Sequence, residues 1–308
     1  MTDLWTIGLA AGLGWYLARA ALCAVAATQE AIQAQRPTGL TLQVIALGTS
    51  AVVLLGLTLW IGDVGRLPGD GGTRLTVALA ACIMALGAML NGGCYLGSIM
   101  YLGRGKANFL FSLLGIVLAV RVDLPGAWGI ASHPSLRPQP GNSVLGVATL
   151  GFTVIVLLAV RTLRRTHGVS LDARMGATLF AGVLAGTLML HSPGWGYAAV
   201  LNAVGRWGIA PFDATLVAPA AALFLGAVAS CIAAGTWAPA APTWMGAARC
   251  LTGGFVMESA AHCIPGGNDV LLLWVMPGLG GYGLLAYSLL LSTMLLIWRL
   301  FGQRAQHV

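Results

Sequence analysis

Apolar residues fall into runs at about 4–28, 40–62, 75–103, 107–122, 143–160, 175–191, 213–236, 244–264 and 270–298, separated by short polar segments. A membrane-spanning helix needs about 20 consecutive apolar residues. Several runs meet that length as they stand. The run at 75–103 is too long for one crossing and carries NGGC at 91–94, and the run at 107–122 is too short to cross comfortably. The last run contains PGLGGYG at 277–283, a sequence that separates a short helix from a full span. The pattern predicts complete helices mixed with half-helices.

Composition turns these runs into spans. Only 8% of the 308 residues are charged and 58% are hydrophobic, with a mean hydropathy of +0.85. A water-soluble domain carries about 25% charged residues. The chain is therefore read as an all-α, polytopic membrane protein. The net charge of +7 is spread between apolar runs, which fits orientation by cytoplasmic positive charge and not nucleic-acid binding. RTLRRTHGVSLDAR at 161–174 is the most basic segment and reads as a cytoplasmic loop, and the tail after Trp298, with Arg299 and Arg304, is placed on the same side. The proline-rich segment 123–142 reads as an extramembrane loop. Residues 1–28 lack a basic region followed by an A-x-A cleavage site, so they predict a retained first helix. Trp5, Trp60, Trp195 and Trp298 lie near run ends and read as interface anchors.

The two halves echo each other. GLGWYLARAALC (12–23) is matched with GYAAVLNAVGRWG (196–208), and GAMLNGGCYLGS (87–98) with SAAHCIPGGNDV (259–270). The reading is one transport domain over 1–308. Its first repeat covers about 1–122, a connecting region 123–174, and a second repeat about 175–300. Paired broken helices in two repeats are the best sequence pointer to a transporter's binding site. Unwound backbone survives in a membrane only where it is buried in protein or lines a cavity. Helix starts beside the breaks offer free N–H groups and a positive dipole end, which favour an anion. Arg104 and Lys106 follow the first break and add positive charge, while Asp269 follows the second.

Candidate side chains cluster at these breaks. Cys94 follows Gly92 and Gly93, with Asn91 just before, and Cys263 lies one turn before Gly266 and Gly267, with His262 and Asn268 beside it. A thiol is a weak donor and a soft acceptor, suited to a polarisable sulfur anion. The other reading of any of the six cysteines is a small buried hydrophobe. Arg19 either attracts an anion or snorkels to the interface. Glu258, four residues before His262, either relays a proton with it or forms a structural pair, and Arg249 is an alternative partner for Glu258. His191 reads as interfacial. No His/Cys spacing suits a metal, so no metal or other cofactor is expected. LGRGK at 102–106 is no phosphate loop, because Ala107 and Met100 stand where its hydroxyl and first glycine belong.

GAMLNGGCYLGSIMYLGRGKANFLFSLLGI (87–116), GGFVMESAAHCIPGGNDVLLL (253–273) and LGWYLARAALC (13–23) resemble the repeated motifs and N-terminal helix of the YeeE/YedE family. The resemblance touches most of the chain, with Cys94 its most specific point. It implies a bacterial inner-membrane transporter for sulfur compounds, thiosulfate foremost, in which cysteines line a narrow central constriction. On that reading Cys94, Cys263 and Cys23 handle the substrate's sulfur among Asn91, Gly93, Gly266, Asn268 and His262, with Arg19 and Glu258 as supporting charges. It also implies the lipid bilayer as surroundings and a cytoplasmic TusA-like sulfur carrier as partner. Where the family has glycine–cysteine in the second half, this chain has Gly266 and Gly267. Either Cys263 substitutes from one turn away, or the protein uses one central thiol fewer. The expected class is a transporter and not an enzyme. The alternative is an intramembrane thiol oxidoreductase or sulfurtransferase, which needs an activated thiolate and a resolving partner.

Overall fold

The computed structural model describes residues 4–63, 67–68, 73–123, 141–167, 172–208, 214–264 and 266–301. Among them the secondary structure is helical, and no strand forms. The helices are α1 (Leu4–Ala20), α2 (Ala24–Gln33), α3 (Thr38–Ile61), α4 (Arg74–Asn91), α5 (Tyr95–Gly103) and α6 (Asn108–Val122). They continue as α7 (Asn142–His167), α8 (Asp172–His191), α9 (Tyr197–Gly205), α10 (Val217–Ala233) and α11 (Trp244–Ala261). Last come α12 (Asn268–Val270), extended by a π-type stretch Leu271–Val275, and α13 (Gly281–Phe301). Among the described residues six segments are long and apolar enough to cross a membrane, and two of them, Leu4–Gln33 and Arg74–Gly103, each hold a break. The protein is an all-α chain of multi-pass membrane type.

The interruptions have local causes. Helix α4 stops at Gly92, whose φ of 74° suits glycine. The Gly93 amide donates to Ala88 O at 3.1 Å and that of Gly92 to Met89 O at 3.2 Å, the paired bonds that close a helix C-terminus. Cys94 then adopts an extended conformation and α5 begins. The PGLGGYG segment separates the π-type stretch from α13 in the same manner, with Leu279 at φ 66°.

Two sequence expectations change. The first apolar run is not one helix: Ala21, at φ 53°, ends α1, and a second helix starts after Cys23. The basic segment 161–174 is mostly helix, because α7 continues through His167 and α8 begins at Asp172; residues 168–171 lie outside the described residues. Of the loop expected at 123–142, residues 124–140 lie outside the described residues and Asn142 already opens α7; the tail beyond Phe301 also lies outside.

Small residues let the long helices approach closely. Helix α1 packs on α10 and α8, α3 on α8 and α7, α4 on α11 and α13, and α6 on α11. At the α1–α10 crossing, a Cβ on Gly14 would fall 1.9 Å from Leu223 O, and one on Gly226 would fall 2.0 Å from Ala11 O. At the α6–α11 crossing, Gly115 faces Leu251 O at 2.1 Å and Gly254 faces Ser112 O at 2.3 Å on the same test. Membrane helices gain no hydrophobic drive from meeting each other, so such close backbone approach is what binds them. Gly226→Ala is therefore expected to destabilise by about 1–3 kcal/mol, the usual range for overpacking. Gly151→Ala on α7, with open space around it, should be neutral or slightly stabilising. Thermal unfolding of the two variants in detergent checks the contrast.

Candidate functional site

Each break delivers an N-cap residue to the interior. Cys23 caps α2 and Cys94 caps α5, both in extended conformation and neither using its side chain to cap its own helix. Instead the Ala24 amide, the first of α2, donates to Cys94 Sγ at 3.2 Å. The two sulfurs lie 3.8 Å apart, and both residues are only 1% exposed. Gly97 makes this contact possible, since a Cβ there would come within 2.5 Å of Cys23 Sγ. The result is a pair of thiols at two converging helix N-termini. Dipoles and free amides at such termini favour negative charge.

The first break is fastened to the second. The Tyr95 amide, next after Cys94, donates to Asn268 Oδ1 at 3.0 Å, and Tyr197 Oη donates to Tyr95 O at 3.2 Å. Asn91 Nδ2 donates to Gly93 O at 2.6 Å, holding the bared backbone of the first break. Phe109 and Tyr101 stack with ring centroids 4.7 Å apart and cover Gly93, where a Cβ would meet both rings. Several buried polar atoms here have no protein partner: Asn91 Oδ1, Asn268 Nδ2 and Asp269 Oδ1. Buried polar atoms are normally paired, so these are the atoms a polar guest or ordered water would satisfy.

Behind the second break opens a cavity of about 390 Å³, lined by Gly196, Asn202, Arg206, Glu258, His262 and Gly267 among others. Glu258 accepts from Tyr95 Oη at 2.5 Å and from Asn202 Nδ2 at 2.9 Å. His262 Nδ1 lies 2.8 Å from the Glu258 carbonyl and 3.9 Å from its Oε1.

The structure thus gathers Cys94, Cys23, Asn91, Gly93 and Asn268 in one place, and Glu258, His262 and Gly266 along the adjoining cavity. Cys263 is buried, but the sulfur beside Cys94 is that of Cys23. Arg19 is exposed and turned away: its Nε donates to Ser230 Oγ at 3.1 Å and its guanidinium sits 4.8 Å over Trp15. Arg104 and Lys106 follow the C-terminal end of α5, roughly 13 Å along the helix from its start, so they do not charge the break. Arg249 is exposed and does not partner Glu258 among the described residues. Trp195 is buried against the core, not an interface anchor.

Sequence reasoning missed Tyr95, Tyr197 and Asn202, whose partners lie far along the chain and leave no local signature. It also missed Arg174, whose Nη2 reaches Ala20 O at 3.5 Å and places a cation beside the Cys23 break. Among the described residues no group of three or more His, Cys, Asp or Glu side chains could hold a metal.

Asn268→Ala should cost about 1–3 kcal/mol, because it leaves the Tyr95 amide buried without an acceptor. Asn268→Asp, which keeps an oxygen acceptor, should recover part of that loss in the same thermal unfolding measurement.

No protein-family model matches the chain and no curated protein matches it, so the chemistry of the site rests on its own atoms.

Proposed function

We propose that the protein is a permease for a small sulfur-containing anion, thiosulfate foremost, in a bacterial inner membrane. The observation that carries this reading is the pair of thiols, Cys23 and Cys94, at two converging helix N-termini. Helix starts supply amides and positive dipole ends for charge, and sulfur supplies a soft contact for sulfur. Carriage of a hard oxyanion would need only the amides.

A second support comes from the packing. Exchanging α1–α6 with α8–α13 carries contact onto contact: α1–α10 onto α8–α3, α6–α11 onto α13–α4, and α2–α13 onto α9–α6. Thr73 and Thr243 cap the corresponding helices α4 and α11 by the same bond, accepting from Thr76 N and Gly246 N. We read this as two related repeats of one transport domain, with the substrate path at the breaks they share. The resemblance of 13–23, 87–116 and 253–273 to the YeeE/YedE family points the same way. A cytoplasmic C-terminus beside Arg299 follows from the positive-inside rule, and a cytoplasmic TusA-like carrier receives the sulfur.

The 3.8 Å separation of two thiols also favours a second reading, an intramembrane thiol oxidoreductase or sulfurtransferase with Cys23 resolving Cys94. Uptake separates the two. Purified protein in sealed proteoliposomes is expected to accumulate labelled thiosulfate, with unlabelled thiosulfate competing and sulfate not. Cys94→Ser should lose about tenfold or more, since even 1.4 kcal/mol of soft contact is a factor of ten. Cys82→Ser and Cys231→Ser, on α4 and α10, should transport nearly as wild type. Equal loss in all three variants would remove the special role of Cys94, and a redox or sulfur-transfer product without uptake would favour the enzyme.

A further inference from the structure

Beside the sulfur pair lies a second polar centre that handling an anion does not require. Glu258 is 3% exposed and Asp269 is 6% exposed, on α11 and α12. Among the described residues neither forms an ion pair with a lysine or arginine. The titratable and charged groups facing Glu258 are Tyr95 on α5, Tyr197 on α9, Asp269 on α12, His262 on its own helix, and Arg206, which lines the same cavity. Asp269 Oδ1 has no partner, and the residue borders a void of about 20 Å³, room for roughly one water.

Two such carboxyls are the wrong furniture for an anion path if they stay ionised. A buried charge without a counter-ion costs several kcal/mol, and a passing anion adds like-charge repulsion. A proton on each removes both penalties. The geometry allows it. A tyrosine hydroxyl both donates and accepts, so Tyr95 Oη keeps its bond to Glu258 when the carboxyl becomes the donor. Glu258 itself lines the cavity, so a proton from cavity water can reach its carboxyl directly. Tyr95 itself follows Cys94 in the chain, so one residue links the sulfur site to the carboxyl.

We infer that Glu258 and Asp269 are the proton sites of a proton-coupled anion cycle, loaded while an anion occupies the Cys94 break and unloaded once it has left. This rests on the permease reading and extends it to the coupling ion. In each turn, one proton from cavity water binds Glu258, and a second binds Asp269 from the one-water void it borders. Both are then released to the side the anion has left to. The stoichiometry follows from charge. A dianion entering against 100 mV climbs roughly 4.6 kcal/mol, at about 2.3 kcal/mol per charge, and two protons cancel that charge. Uptake then runs on the pH gradient alone. One pH unit supports accumulation of up to about 100-fold, because each proton contributes a factor of ten.

The test uses proteoliposomes of the full chain with a trapped pH-sensitive dye. An inward thiosulfate gradient is expected to acidify the lumen. An inward proton gradient should raise initial thiosulfate uptake several-fold, and a potential set with potassium and valinomycin should change it little. Glu258→Gln and Asp269→Asn should abolish the rise with the proton gradient, whereas Glu30→Gln on α2 should retain it. Thiosulfate uptake without lumen acidification overturns the coupling and leaves the permease standing, and that wild-type result decides the matter even if a variant fails to fold. Absence of any thiosulfate flux in wild-type vesicles overturns both. A response of Glu258→Gln to the proton gradient equal to wild type overturns the role of Glu258.

Discussion

A backbone amide cannot be left bare where lipid replaces water, and the architecture of this protein follows from that constraint. Each helix break frees amides and carbonyls; some close on nearby backbone, and others are answered by side chains from elsewhere in the chain. The Ala24 amide finds Cys94 Sγ, the Tyr95 amide finds Asn268 Oδ1, and the carbonyl of Leu273 in the π-type stretch accepts from Ser50 Oγ at 2.7 Å. Tyr287 Oη donates to Gln43 Oε1 at 2.9 Å, tying α13 to α3 near the same region. The bonds that make broken helices tolerable are the bonds that assemble the site. Fold and site share one set of interactions.

That economy makes the site lopsided. On one side stand the two sulfurs, and on the other stand Asn268, Asp269 and the Glu258 network. Gly267 occupies the position of α12 that Cys94 occupies in α5, and it carries no side chain for a steric reason. A Cβ there would lie 2.6 Å from Asp269 Oδ1 and 3.1 Å from the ring of Tyr95. A side chain at 267 would press on Asp269 and on the ring of the tyrosine that binds Glu258. Cys263, one turn away, does not replace it beside Cys94. The second break therefore presents a buried oxygen network where the first presents sulfur. This fits a path that reads sulfur on one face and handles protons on the other.

Much of this was legible in the sequence because the breaks are written locally. NGGC ends α4 through glycines that close its C-terminus, and PGLGGYG ends the stretch before α13 with Leu279 in the left-handed position. The break after Ala21 was not legible: Ala21 is an alanine in left-handed conformation, and no glycine or proline marks the site. The basic run at 161–174 reads as a loop by charge, yet α7 carries it as a helical end. Charge near a break also misled. Arg104 and Lys106 are close to Cys94 in number, but a nine-residue helix separates them from it. The partners of Glu258 come from residues 95 and 202, and such long-range pairs leave no pattern in a single sequence.

The central claim is that an anion settles between the starts of α2 and α5 with its sulfur against Cys94. Alkylation of Cys94 by a small maleimide, followed by peptide mass spectrometry on the purified protein, reads that contact directly. Thiosulfate should slow labelling of Cys94 while labelling of Cys82 continues unchanged, and sulfate at the same concentration should give no protection. Equal labelling of Cys94 with and without thiosulfate, or equal protection by sulfate, would contradict the assignment.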